Sequence, residues 1–126
     1  MGYSEMTRVI HFEIHADDPE RAVKFYKKVF RWKIDKWMGP SDYWLVSTGN
    51  GRLRGINGAI MCRVKRGSTW NTIDVPSVDR FIKKVVKAGG KVVQKKTTVP
   101  GVDHMAYCKD TEGNVFGIMQ EDTEAK

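Results

Sequence analysis

Hydrophobic and polar residues alternate near the start of the chain. In "VIHFEIHA", Ile10, Phe12 and Ile14 fall on one side of an extended strand. His11, Glu13 and His15 fall on the other. Period two over residues 8–16 predicts a strand, and then the period changes. Asp18 is placed to cap a helix, with Pro19 in its first turn, where a missing N–H does no harm. Ala22, Val23, Tyr26, Val29 and Phe30 form the buried stripe predicted for that helix. Segments 32–38 and 42–48 read as strands divided by Gly39-Pro40. Asn50-Gly51 marks a turn, and residues 56–64 read as another strand.

The same order of elements then recurs. "TWNTIDV" is a strand and Ser77 an N-cap; Phe81, Ile82 and Val85 line a second helix that stops at Gly89-Gly90. Strands follow near 91–97, 103–109 and 114–120, with the turn "DTEGN" between the last two. An offset of 59 residues overlays the halves: Ile14 on Ile73, Asp18 on Ser77, Val23 on Ile82. One half alone is too small for a stable core. The expectation is therefore one α+β domain over residues 1–126, built of two tandem βαβββ modules, about 7–66 and 67–121. Helices should cover one sheet face and leave the other as a cleft.

Composition narrows the picture. At 40% hydrophobic residues the chain can bury an ordinary core, and no apolar run approaches the length of a membrane span. The start, MGYSEMTR, has no apolar segment typical of a secretory leader, and its spacing does not suit myristoylation, so the expected location is cytoplasmic, with no membrane partner. Cys62 and Cys108 lie inside predicted strands at no metal-finger or redox spacing, and are expected as buried, reduced thiols. The net charge of +7 sits largely in two helical stripes, Arg21, Lys24, Lys28, Arg31 and Arg80, Lys83, Lys84, Lys87. Each lies opposite an apolar face and lacks interleaved aromatics. These read as solvated faces, with no nucleic-acid partner expected.

"IHFEIHADDPERAVKFYKKVF", "AGGKVV" and "DTEGNVFGIMQ" together resemble the vicinal oxygen chelate superfamily, which includes glyoxalase I, bleomycin-resistance proteins and extradiol dioxygenases. The likeness covers roughly residues 8–121. It implies paired βαβββ modules in a U-shaped, barrel-like mixed sheet around a ligand cleft, helices on the outer face, and a homodimer. It also implies four metal-ligand positions, on the first and last strand of each module. In this chain those positions are expected at His11, Gly58, Trp70 and Gly117. Only His11 carries a donor, so no cofactor is expected, although a divalent metal held by His11, Glu13 and Asp74 is the competing possibility.

The expected ligand is a small organic molecule. Its predicted contacts are His11, Glu13, Trp70, Thr72 and Asp74 on the cleft face, with Trp44 and Tyr107 as further aromatic walls. Gly58 and Gly117 would leave a bare floor for it. His11 and Glu13 are also the candidate catalytic pair, for acid–base chemistry in a half-dry cleft. The competing explanation of the same residues, and the one the residues alone favour, is a hydrogen-bonded, partly solvated polar strand face. His104 is expected to be a surface-loop residue. Two functions remain in view: a glyoxalase-like protein that sequesters or senses a small ligand, and a glyoxalase-type lyase or isomerase using an altered metal or acid–base site.

Overall fold

A computed structural model describes residues 7–52, 54–64 and 67–122. It has the expected α+β content and the expected element order, two helices among eight strands. Residues 11–70 form one compact unit and the remaining described residues the other. Residues 65 and 66, the end of the expected first module, lie outside the described residues, as does most of the N-terminal stretch read for targeting.

The first unit contains β1 (Val9–Ala16, from His11 onward), α1 (Pro19–Phe30), β2 (Lys33–Lys36), β3 (Tyr43–Ser47) and β4 (Asn57–Cys62). Its strands lie in the order β2-β3-β4-β1. β1 runs parallel to β4, and the other pairs are antiparallel. A parallel neighbour needs a crossover, which α1 begins. The helix starts because the Asp18 side chain accepts the Arg21 N–H at 3.1 Å, and it stops at Arg31, which takes a left-handed conformation with φ 60°. Ala16, Val23, Ile34, Val46 and Ile60 form the core, joined by Phe12, Ile14, Ala22, Tyr26, Trp32 and Trp44. Two residues of the predicted helix stripe lie outside it. Val29 and Phe30 are more than half exposed. The Phe30 ring instead stacks on Tyr26 and Trp32.

The second unit repeats the plan with β5 (Thr69–Asp74), α2 (Val78–Lys87), β6 (Lys91–Val99), β7 (Asp103–Lys109) and β8 (Val115–Glu121), the strands in the order β5-β8-β7-β6. Again the first strand is parallel to the last. Ser77 caps α2 through the Arg80 N–H. The helix closes with Gly90 N–H to Val85 O (2.8 Å) and Gly89 N–H to Val86 O (3.1 Å), the paired bonds of a Schellman ending. The core is Val75, Val78, Ala106, Cys108 and Ile118. In the "DTEGN" turn Asp110 accepts the backbone N–H groups of Glu112 and Asn114, and Gly113 holds φ +86°. Those bonds, led by the one from Asn114, hold the Asp110 carboxyl below its ordinary value.

Both cysteines are free. Cys108 is fully buried, and burial raises its thiol pKa; Cys62, at the end of β4, is exposed, contrary to the expectation of two buried thiols. His104 is not a loop residue. It sits in β7, where Thr98 Oγ1 lies 2.9 Å from Nδ1 and Asp122 Oδ2 lies 3.0 Å from Nε2. An ionised carboxylate only accepts, so Nε2–H donates to Asp122, and in the neutral ring Nδ1 then accepts from the Thr98 hydroxyl. The imidazole thus pins the strand ends together. Among the described residues, no helix is long and apolar enough to cross a membrane.

Candidate functional site

Phe12 and Ile14 pack toward α1, so alternation along β1 turns His11, Glu13 and His15 to the opposite face. Strand register fixes their neighbours. Glu13 pairs with Ala59, Ala59 with Leu45, and Leu45 with Asp35, so these four lie in one row across the sheet. A second row carries His11 beside Asn57 and Lys33 beside Ser47. A third carries His15, Met61 and Tyr43.

Tyr43 ties the polar residues together. Its hydroxyl donates to Glu13 Oε2 at 2.7 Å, and its oxygen lies 3.0 Å from His11 Nε2. The hydroxyl proton is committed to the carboxylate, so His11 must donate. The neutral ring is then the Nε2–H tautomer, and Nδ1 is its basic nitrogen. Glu13 is only 3% exposed, and its Oε2 stands 4.0 Å from His11 Nε2. A positive charge on His11 would thus face a buried carboxylate across the tyrosine oxygen.

His11 also lines a cavity of about 390 Å³, together with Lys33, Asp35, Leu45, Val46, Ser47, Asn57 and Gly58. This falls within the size range of small-molecule sites. All its lining residues belong to the first unit. Asn57 is oriented from behind: its Oδ1 accepts the Thr48 N–H at 3.0 Å.

His15 has a different setting. It is 4% exposed, its Nδ1 accepts the Val64 N–H at 3.1 Å, and its ring lies 4.0 Å from that of Trp70. Burial pushes the imidazole pKa below its ordinary value; Glu13 opposes this and Arg63 adds to it. His15 Nε2 is buried with no hydrogen-bond partner among the described residues.

The sequence-predicted residues divide accordingly. His11 and Glu13 come together through Tyr43. Trp70 is buried against His15 and does not line the His11 cavity. Thr72 is buried in the second unit, where it pairs with Gly117, and Tyr107 lies on that same face; Asp74 is half-buried on β5 beside Met119. Trp44 is a correction. It pairs with Ile60 and packs against the core on the α1 side, the face away from His11. The bare glycine floor is another. A Cβ on Gly58 would lie 2.6 Å from Phe12 Cε1, and one on Gly117 3.1 Å from Thr72 Oγ1. The chain's own side chains already fill the space over both.

The register also corrects the ligand position expected at Gly58. Thr72, the mate of Glu13 at the 59-residue offset, pairs with Gly117, whereas Glu13 pairs with Ala59. The equivalent of Gly117 is therefore Ala59, and the constant offset slips by one residue on the last strand. The four positions hold His, Ala, Trp and Gly, and three of these side chains offer no donor. No group of three or more His, Cys, Asp or Glu among the described residues is placed to hold an ion. The donor set does not fit the metal that the resemblance implies.

Sequence reasoning missed Tyr43, Lys33, Asp35, Ser47 and Asn57. For all but Asn57 the signal was the alternation in "DYWLVS" and "KIDK", which becomes legible only once strand pairing is known.

Comparison with known proteins agrees with this fold. A family profile described as bleomycin resistance protein-like N-terminal matches residues 8–49. A glyoxylase-like domain-containing protein of Didymella fabae is 30% identical over 112 residues, covering 84% of this chain and 88% of the relative. The glyoxylase-named CFP32 of Mycobacterium tuberculosis is 27% identical over 113 residues, 86% of this chain, but the chain spans only 43% of that relative's length. Among solved structures, a glyoxalase/bleomycin resistance protein/dioxygenase superfamily member from Vibrio splendidus 12B01 has TM-score 0.68 at 11% identity, covering 92% of this chain and 100% of that one. Methylmalonyl-CoA epimerase from Mycobacterium tuberculosis has TM-score 0.66 at 13% identity, covering 90% and 87%. At such identities these structures establish the fold alone.

Proposed function

The chain belongs to the vicinal oxygen chelate superfamily, the glyoxalase/bleomycin resistance/dioxygenase group, and from that premise we propose that it binds a small polar organic molecule in the cavity beside His11, without a metal ion. The observation that carries this reading is the cavity itself: about 390 Å³, with charged, amide and hydroxyl groups around an apolar centre at Leu45. The donor set supports the metal-free part, since His11 alone among the four family positions has a ligand atom.

The test is a screen of polar small molecules by ligand-observed NMR on chelator-treated protein. Binding should survive the chelator and be lost in Leu45→Trp, which fills the cavity from an exposed strand position. Hits that bind Leu45→Trp unchanged, or only after a divalent ion is restored, would overturn the reading.

A second reading rests on the hydrogen-bond chain from Glu13 through Tyr43 to His11. It orients a cavity-lining imidazole and places a buried carboxylate behind it. Such a site can take a proton from a bound substrate, as an isomerase or lyase requires. Proton–deuterium exchange into a bound ligand, abolished in His11→Gln, would establish it. Binding without exchange would leave the protein a sequestering or sensing module.

A further inference from the structure

Among the residues around the His11 cavity, two of opposite charge stand side by side. Lys33 and Asp35 are two positions apart on β2 and project from the same face, roughly 7 Å apart along the strand. Neither forms an ion pair or a side-chain hydrogen bond among the described residues. The neighbouring charge on the same strand behaves differently: Lys36, on the opposite face, pairs with Asp42 at 3.2 Å. β2 thus pairs the charge on its α1 side within the protein and leaves the two at the cavity, both exposed, without a protein partner among the described residues.

We propose that the ligand of this cavity is a small zwitterion, with an ammonium and a carboxylate a few bonds apart as in a free amino acid. The inference rests on the binding reading above and names its ligand class. A simple anion placed against Lys33 would sit beside the Asp35 carboxylate, and a simple cation against Asp35 would sit beside the Lys33 ammonium. Only a molecule with both signs meets each charge with its opposite.

The uncharged groups sort in the same way. The Asn57 oxygen is held by the Thr48 N–H, which leaves its NH2 as a donor for the ligand carboxylate alongside Lys33. The Ser47 hydroxyl donates to Gly49 O at 3.3 Å, which leaves its oxygen as an acceptor for the ligand ammonium alongside Asp35. Leu45 lies in the same row as Asp35 and offers apolar contact to the remainder of the ligand.

The experiment titrates 15N-labelled protein with free leucine, N-acetylleucine and isopentylamine, three molecules that share one side chain and differ in charge. Wild type should bind leucine at least tenfold tighter than either singly charged analogue, with shifts at the Leu45, Ser47 and Asn57 amides. Lys33→Gln should weaken leucine binding about tenfold and abolish the preference over the amine; Asp35→Asn should abolish the preference over the N-acetyl acid. Both positions are exposed, and circular dichroism should show intact folds. If all three compounds shift the cavity resonances equally, or neither variant changes the order, the zwitterion class is wrong while the cavity remains a binding site. If none shifts them, and the polar-molecule screen finds no hit sensitive to Leu45→Trp, the binding reading fails and takes this inference with it.

Discussion

Replacing Tyr43 by Phe removes one oxygen and with it both hydrogen bonds joining Glu13 to His11. The ring itself remains, edge-on to Trp37 at 6.1 Å, so packing is preserved and the change isolates the hydroxyl. The Glu13 carboxylate, 3% exposed, loses a donor at 2.7 Å and has little water to replace it. Hydrogen bonds to charged groups contribute about 1.5–3 kcal/mol. The His11 side chain is 26% exposed and can regain water, so its lost acceptor adds little. A net cost of about 2 kcal/mol follows. For a domain of this size that corresponds to a fall in Tm of roughly 8 °C. Two assays read it. Thermal unfolding gives the stability change, and long-range 1H–15N correlation of the imidazoles gives the tautomer. Wild-type His11 should be the Nε2–H form when neutral, and Tyr43→Phe should shift it toward a mixture. A Tm within about 1 °C of wild type, with an unchanged His11 ring spectrum, would refute the claim that the hydroxyl links the pair.

Further predictions concern stability, packing and thiol access. Because His15 titrates below its ordinary value in the folded state, the unfolded chain binds more protons between the two values. The stability this group contributes is present above about pH 6.5 and is lost as pH falls through the depressed folded value, with a slope of at most about 1.4 kcal/mol per pH unit; urea unfolding of wild type and His15→Gln from pH 7.5 to 5 should show the steeper decline in wild type. Gly58→Ala forces a methyl into the Phe12 ring and backbone and should cost about 1–3 kcal/mol, read as a lower urea midpoint at constant slope. A thiol reagent at neutral pH should modify Cys62 quickly and Cys108 only on unfolding, since Cys108 is fully buried; fast modification of both would contradict the packing of the second core.

Element order was legible because each signal is local. Asp18 before Pro19, Ser77 before Val78, and Gly89-Gly90 are caps and stops that act within a few residues, and the structure uses all of them. Face assignment on β1 was legible for the same reason, since Phe12 and Ile14 declare the side that packs on α1, although the polar side is buried as well, with Glu13 and His15 more enclosed than either. On β3 it was not. Tyr43, Trp44 and Leu45 are all hydrophobic enough for a core, and only the pairing of Trp44 with Ile60 decides which face each takes. Trp44 therefore looked like a cleft wall and is a core residue, while Tyr43, one step away, holds the polar pair. The one-residue slip between Gly58 and Ala59 has the same origin: a repeat offset is a property of sequence, and register is a property of strand pairing. Val29 and Phe30 continued the apolar stripe of α1 without saying how far the sheet beneath it extends. His104 gave no local sign of the strand ends it joins, because only strand pairing brings Thr98 and Asp122 to its ring.

Whether the polar face beside His11 binds a ligand without a metal is decided by a protein-observed NMR screen of small polar molecules against chelator-treated, 15N-labelled protein, with shifts mapped residue by residue. Hits should give perturbations that concentrate at His11, Lys33, Asp35, Leu45, Ser47 and Asn57 and vanish in Leu45→Trp. Hits mapping elsewhere, or perturbations at these residues only when a divalent ion is added, would contradict metal-free binding at this face.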